Sequence, residues 1–167
     1  MVDRLRRNLL IGVPAAMALR PWAAVAAPLR IEITEGVVEP MPFAAPAFPE
    51  PLDAIITVQN FHDLYLKPFP AGTGAKASAA LFAALKPGGT LIVVDHSAAA
   101  GSGTTLSDSL HRIDKAAVVA ALTEAGFKLD ASSDLYKQTA DPLTANVFDP
   151  AIRGKTDQFT LRFRKPE

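Results

Sequence analysis

Five prolines crowd the twelve positions from Pro40 to Pro51, and no regular element survives that density. Each one removes a backbone donor and pushes the preceding residue toward extended backbone, which excludes a helix and a central strand alike. The run divides the 167-residue chain into two unlike parts. The second part, residues 52–167, is long enough to bury a core of its own.

The amino-terminal part reads as an export leader followed by an extended segment. Arg4, Arg6 and Arg7 form a basic front, an apolar run starts at Leu9, and Ala24-Val25-Ala26 offers the small-x-small site that a signal peptidase cuts. Pro14, Arg20 and Pro21 break the run, which is too short for a membrane span. Arg6-Arg7-Asn8-Leu9-Leu10 also has the form of a twin-arginine signal. Residues 1–26 are thus expected to be a signal peptide for the Sec or the twin-arginine route, leading to the periplasm; the alternative is an amphipathic helix that stays attached. Leu29 to Thr34 then alternates apolar and polar residues like a half-buried strand.

From Leu52 onward the pattern is that of an α/β domain. Asp53–Val58 and Thr90–Val94 are short apolar runs, as expected of strands covered on both faces. Lys76–Leu85 has helical spacing and ends at Pro87-Gly88-Gly89. Asp114 is a suitable N-cap for a helix over Lys115–Ala125, with Val118, Val119 and Leu122 on one face and Gly126 just past its end. Phe127–Asp130 begins a third strand. In Gln158–Arg164, Phe159, Leu161 and Phe163 share one face of a strand that is solvated on the other. Gly72-Thr73-Gly74 and Gly101-Ser102-Gly103 read as loops, and no internal repeat is present. The order implies an open sheet with right-handed crossovers, tending to three layers.

Composition removes several function classes. Lys plus Arg and Asp plus Glu both number 17, so no net field draws the chain to nucleic acid. The absence of Cys excludes disulfides and thiol nucleophiles.

Candidate chemistry sits at strand ends, where open parallel sheets bind ligands. Gln59-Asn60-Phe61-His62-Asp63 follows one strand, and Asp95-His96 ends another. If the strands are neighbours, His62, Asp63, Asp95 and His96 converge. A His oriented by an Asp can act as a general base. The same groups can ligate a metal, although no His-x-x-x-His spacing favours it and no resident metal is expected, or they can simply cap strand ends. His111 and Arg112 precede the Asp114 cap, in a loop that bears on substrate or on loop order. Exposed, salt-bridged charges are the default for them. Asp149 and Arg153 are expected to form a buried bidentate pair that pins the loop before the last strand.

Two resemblances follow from these segments. Leu29-Arg-Ile-Glu-Ile-Thr-Glu-Gly-Val-Val-Glu-Pro through Phe48 resembles the start of the mature TolB family, periplasmic propeller proteins of the Tol-Pal system, which implies Tol-Pal envelope proteins as partners of residues 27–51. From about Glu50 to the end, the chain resembles exported class I S-adenosylmethionine-dependent methyltransferases of Gram-negative bacteria. That resemblance rests on Pro51-Leu-Asp53, Gln59-Asn-Phe-His-Asp-Leu64, Leu85-Lys-Pro-Gly-Gly89, Asp95-His96, Gly101-Ser-Gly103, Leu110-His-Arg-Ile-Asp114, Ala125-Gly-Phe127, Ser133-Asp134 and Phe148-Asp-Pro-Ala-Ile-Arg-Gly-Lys-Thr-Asp157.

The methyltransferase resemblance implies a partial Rossmann-like sheet, the second half only, with an antiparallel last strand. It places Asn60–Asp63 after the family's fourth strand and makes Thr90–Asp95 the fifth. Asn60 and Asp95 become cofactor-binding residues for S-adenosylmethionine; His62, Asp63 and His96 become catalytic ones, acting on an unspecified small-molecule or protein methyl acceptor. The family's Gly-rich loop and ribose-gripping acid precede the matching region, and neither Gly-x-Gly replaces them. Weak or absent methyl transfer by the chain alone is expected, as is a free sheet edge through which a second copy can pair.

Overall fold

In the computed structural model, residues 48–167 are described. The leader over 1–26 and the TolB-like segment, apart from its end, lie outside the described residues, as does the expected strand at Leu29–Thr34. Four strands form one mixed sheet: β1 (Leu52–Val58), β2 (Leu85–His96), β3 (Lys128–Ser133) and β4 (Gln158–Arg164), in the order β1-β2-β4-β3. β1 and β2 are parallel, joined through α1 (Thr73–Ala84), as a parallel pair requires. β4 runs antiparallel to both β2 and β3. A short α2 (Ser107–Leu110) and α3 (Lys115–Glu124) lie between β2 and β3.

Side-chain alternation explains which face of the sheet is covered. Leu91 and Val93 of β2 pair in register with Phe163 and Leu161 of β4, and all four are fully buried. Val118 and Leu122 of α3 join them in one core cluster, with Leu81 and Phe82 of α1 packed against it. Phe127 closes the cluster, its ring edge-on to Phe82 at 5.1 Å. The opposite face carries Ile92 beside Arg162 and Thr90 beside Arg164. A helical layer over that face is not among the described residues.

Three expectations need correction. β1 is not covered on both faces: Ile56 is 65% and Val58 53% exposed, and among the described residues β1 pairs on one side only. An apolar run shows that a strand can be buried, not that a partner is there to bury it. Gly72-Thr73-Gly74 is not a loop but the start of α1. Gly72 takes a φ of 84° at the N-cap, and Gly74 lies against Tyr65, whose ring a Cβ would meet at 2.4 Å. Finally, β2 begins five residues before Thr90: Pro87-Gly88-Gly89 does not merely stop the helix but lies within the strand, where pairing jumps from Leu52↔Leu85 to Ala54↔Thr90.

Asp114 does cap α3. Its Oδ1 accepts the Ala116 amide at 2.9 Å and its Oδ2 the Gly101 amide at 2.6 Å, which also ties down the loop ahead of α2. Asp114→Ala is expected to lower stability by about 1–2 kcal/mol in a urea melt. A change within measurement error would show the cap to be idle.

Candidate functional site

The parallel pairing of β1 and β2 brings their carboxyl ends side by side, with Val58 opposite Val94. Just past β1 the backbone turns left-handed at Gln59, φ 56°, and enters a 3-10 turn over His62–Tyr65. This turn is what delivers His62 to Asp95. The His62 amide donates to Asp95 Oδ2 at 2.8 Å, and His62 Nδ1 lies 2.7 Å from Asp95 Oδ1. Asp95 also accepts the His96 amide at 2.7 Å. On the other side of the ring, His62 Nε2 lies 3.1 Å from Asp63 Oδ1. The imidazole therefore sits between a buried carboxylate and an exposed one.

This position decides its charge. Burial alone would lower the His62 pKa, but hydrogen bonds to Asp63 and Asp95, and their charges, override it and raise it from 6.5 to about 9. His62 is therefore an imidazolium at neutral pH, donating from both nitrogens. Of its two carboxylate partners, Asp63 is the one open to solvent, with 43% of its side chain exposed. Because the folded-state value lies above the unfolded one, the interaction contributes fully below pH 6.5 and is lost as pH rises through about 9. Urea melts from pH 6 to 10 are expected to lose stability in that upper window. The loss should vanish in His62→Gln.

The second strand end is extended by a bridge. Ser97 pairs in parallel with Ile113, through Ile113 N to His96 O and Ala98 N to Ile113 O, each at 3.0 Å. This pairing carries His111 to the site. The His111 backbone is left-handed, φ 54°, and its ring stands edge-on to His62 at 5.4 Å between centroids. Its Nδ1 lies 3.9 Å from Asp63 Oδ1. The His96 ring is 6.0 Å from His62, and its Nδ1 pairs with Thr156 Oγ1 at 2.9 Å. Burial lowers the His96 pKa despite the opposing pull of Asp95, so this ring is neutral. All three histidines of the chain meet here.

The other expected site residues have the following surroundings. Asp95 is 0% exposed, and its two oxygens accept from the His62 and His96 amides and meet His62 Nδ1. Asn60 is exposed, its side chain bonded to Thr57. Asp149 and Arg153 form no buried pair: Asp149 Oδ1 accepts the Ala151 amide, while the exposed Arg153 lies over the Phe148 ring at 5.9 Å. Phe148 in turn packs edge-on against His111 at 4.9 Å.

The buried bidentate pair lies elsewhere. Arg112 donates to both Asp141 oxygens at 2.9 and 3.0 Å, to Ser97 O and to Ala145 O, and both side chains are fully buried. Asp141 also accepts the Leu143 and Asp157 amides. Nothing local in the sequence marks partners 29 residues apart. A groove sharing Leu64 and Tyr65 with the 3-10 turn, and lined further by Phe69, Thr104, Ala121 and Glu124, was equally invisible to spacing arguments.

No family model matches the chain. A 40-residue stretch, 24% of the chain, is 58% identical to the Tol-Pal system protein TolB of two strains of Cereibacter sphaeroides but spans 8% of that protein. Among solved structures, the chain resembles the N-methyltransferase NodS from Bradyrhizobium japonicum WM9, with a TM-score of 0.50 at 20% identity, over 72% of this chain and 55% of NodS. It resembles the [4+2]-cyclase SpnF equally, TM-score 0.50 at 20% identity, over 74% of this chain and 54% of SpnF. The chain spans about half the length of these structures. The described residues thus have the Rossmann-like α/β fold of class I methyltransferases, as a four-stranded part of its sheet.

Proposed function

We propose that this chain supplies the acceptor side of an S-adenosylmethionine-dependent methyl transfer in the bacterial envelope. The observation that carries the reading is the line Asp95–His62–Asp63 at adjacent carboxyl ends of parallel strands, with one end buried and the other open. When bound, the donor supplies an electrophilic methyl group. The described residues do not fit the whole donor. Both Asp95 oxygens are engaged, and the glycines that open crossover helix α1, Gly72 and Gly74, follow β1 only after the 3-10 turn at His62–Tyr65 rather than in a tight strand-to-helix loop. Asn60, exposed beside the turn, is the residue positioned to meet one edge of it.

This chain's own residues do acid–base work. Asp63 accepts a proton from an acceptor O–H or N–H, and the His62 imidazolium beside it, held by Asp95, keeps that carboxylate in place. The groove along Leu64, Tyr65 and Phe69 borders the same 3-10 turn, and His62 and Asp63 are not part of its lining. His111 is packed between the rings of His62 and Phe148. A cyclase on the same fold is a reminder that the fold alone does not select the reaction.

Calorimetry and amide NMR with S-adenosylmethionine on the full chain test the reading. Binding weaker than about 1 mM, a Kd worth about 4 kcal/mol, is expected, with shifts confined to the Asn60–Asp63 turn. A micromolar Kd would overturn the one-sided reading of the site. Shifts only elsewhere on the fold would sink the methyl-transfer reading itself.

The TolB match favours a second reading, in which residues 27–51 engage Tol-Pal envelope proteins and the α/β domain is cargo. Co-purification of envelope partners by the full chain, lost on deleting 27–51, distinguishes it. The β1 edge further supports pairing with a second copy, which Ile56→Lys should abolish in light scattering.

A further inference from the structure

The structure assigns a divalent transition-metal site to His62, Asp63 and His111. This inference stands apart from the methyl-transfer reading: it needs no donor, and its test uses none. Nε2 or Nδ1 of the two imidazoles and one Asp63 oxygen all lie within 4.8 Å of one another. Ligands at about 2.0–2.2 Å from a tetrahedral ion stand about 3.3 Å apart. The His62 Nε2 to Asp63 Oδ1 distance of 3.1 Å already matches that spacing, and the 3.9 Å from Asp63 to His111 closes with a small swing of one half-exposed ring.

The surroundings are those of a ligand set rather than a chance cluster. A metal-bound His normally gives its second nitrogen to a carboxylate that fixes the ring. Asp95, fully buried, holds His62 Nδ1 in that way and leaves Nε2 facing Asp63 and His111. His111 is held in a left-handed backbone conformation uncommon for a residue with a Cβ, and Phe148 packs on its ring. One ligand is buried, with 4% of its side chain exposed, while Asp63 at 43% and His111 at 26% leave an open approach.

Two imidazoles and one carboxylate suit Zn²⁺, Co²⁺ or Fe²⁺ over Mg²⁺ or Ca²⁺, which prefer all-oxygen shells. Three protein ligands leave at least one position open for water or for an oxygen or nitrogen of an acceptor. A cation here would occupy the place of the proton between His62 and Asp63.

Zn²⁺ calorimetry and Co²⁺ absorption on the full, metal-stripped chain provide the test. One ion per chain with micromolar affinity, and the strong visible bands of low-coordinate Co²⁺, are expected. His111→Asn tolerates the left-handed backbone and Asp63→Asn keeps its shape; each should weaken binding by at least about 10-fold, and Asp95→Asn by about 10–100-fold through His62. The assignment is overturned by absence of binding at millimolar Zn²⁺, or by unchanged affinity in His111→Asn. Circular dichroism on each variant separates lost ligands from lost fold.

Discussion

Asp141→Ala is expected to destabilise the domain by about 3–5 kcal/mol, because it strands the Arg112 guanidinium in the interior without its counter-charge. That is a large fraction of the roughly 5–15 kcal/mol that holds a domain folded. Arg112 spends its donors on Asp141, Ser97 O and Ala145 O, and Asp141 spends its acceptors on Arg112 and the amides of Leu143 and Asp157. The pair is thus the hub of residues 134–157, which join β3 to β4 without a helix or strand. Replacing both partners with Arg112→Met and Asp141→Leu should cost less than removing Asp141 alone, since no bare charge remains. A double variant as unstable as the single one would show that the hydrogen bonds, not the charge, dominate.

The pair also makes the domain acid-sensitive in a definite window. Burial would raise the Asp141 pKa, but the Arg112 guanidinium and the Asp157 and Leu143 amides outweigh it and hold the carboxyl below its usual 3.8. Its contribution is therefore present above pH 3.8 and is lost as pH falls through the lower folded value.

The second large effect is expected at Asp95. Asp95→Ala removes the acceptor for two buried amides and one imidazolium at once, which costs about 3–5 kcal/mol, as when a buried charge loses its partner. Asp95→Asn keeps the shape and part of the hydrogen bonding but removes the charge. It should remain folded while the His62 pKa falls from about 9, followed by NMR titration of the ring. An unmoved His62 value would mean that Asp63 alone sets it.

Much of this was legible in the residues, for physical reasons that differ by element. α3 and β4 carry their own punctuation: the Asp114 cap, Gly126 with φ 106° and the Phe159, Leu161 and Phe163 alternation all appear where expected. The approach of His62 to Asp95 followed from two strand ends and the parallel rule. What escaped was what depends on partners. Whether β1 is covered, and that Arg112 meets Asp141 rather than Asp149 meeting Arg153, are decided by distant chain segments that leave no local periodicity. The approach of His111 to His62 depends on the Ser97–Ile113 bridge, which no sequence spacing announces.

The outer border of β1 has a consequence of its own. From Leu52 to Val58 the strand shows unpaired main-chain groups on that side among the described residues, while the His62–Tyr65 turn follows the end of the same strand and is held by Asp95 of β2. Additional strands can therefore be grafted there, in cis or in trans, without touching the inner ladder that aims His62 at Asp95. What occupies that border and what holds His62 against Asp95 are therefore structurally independent.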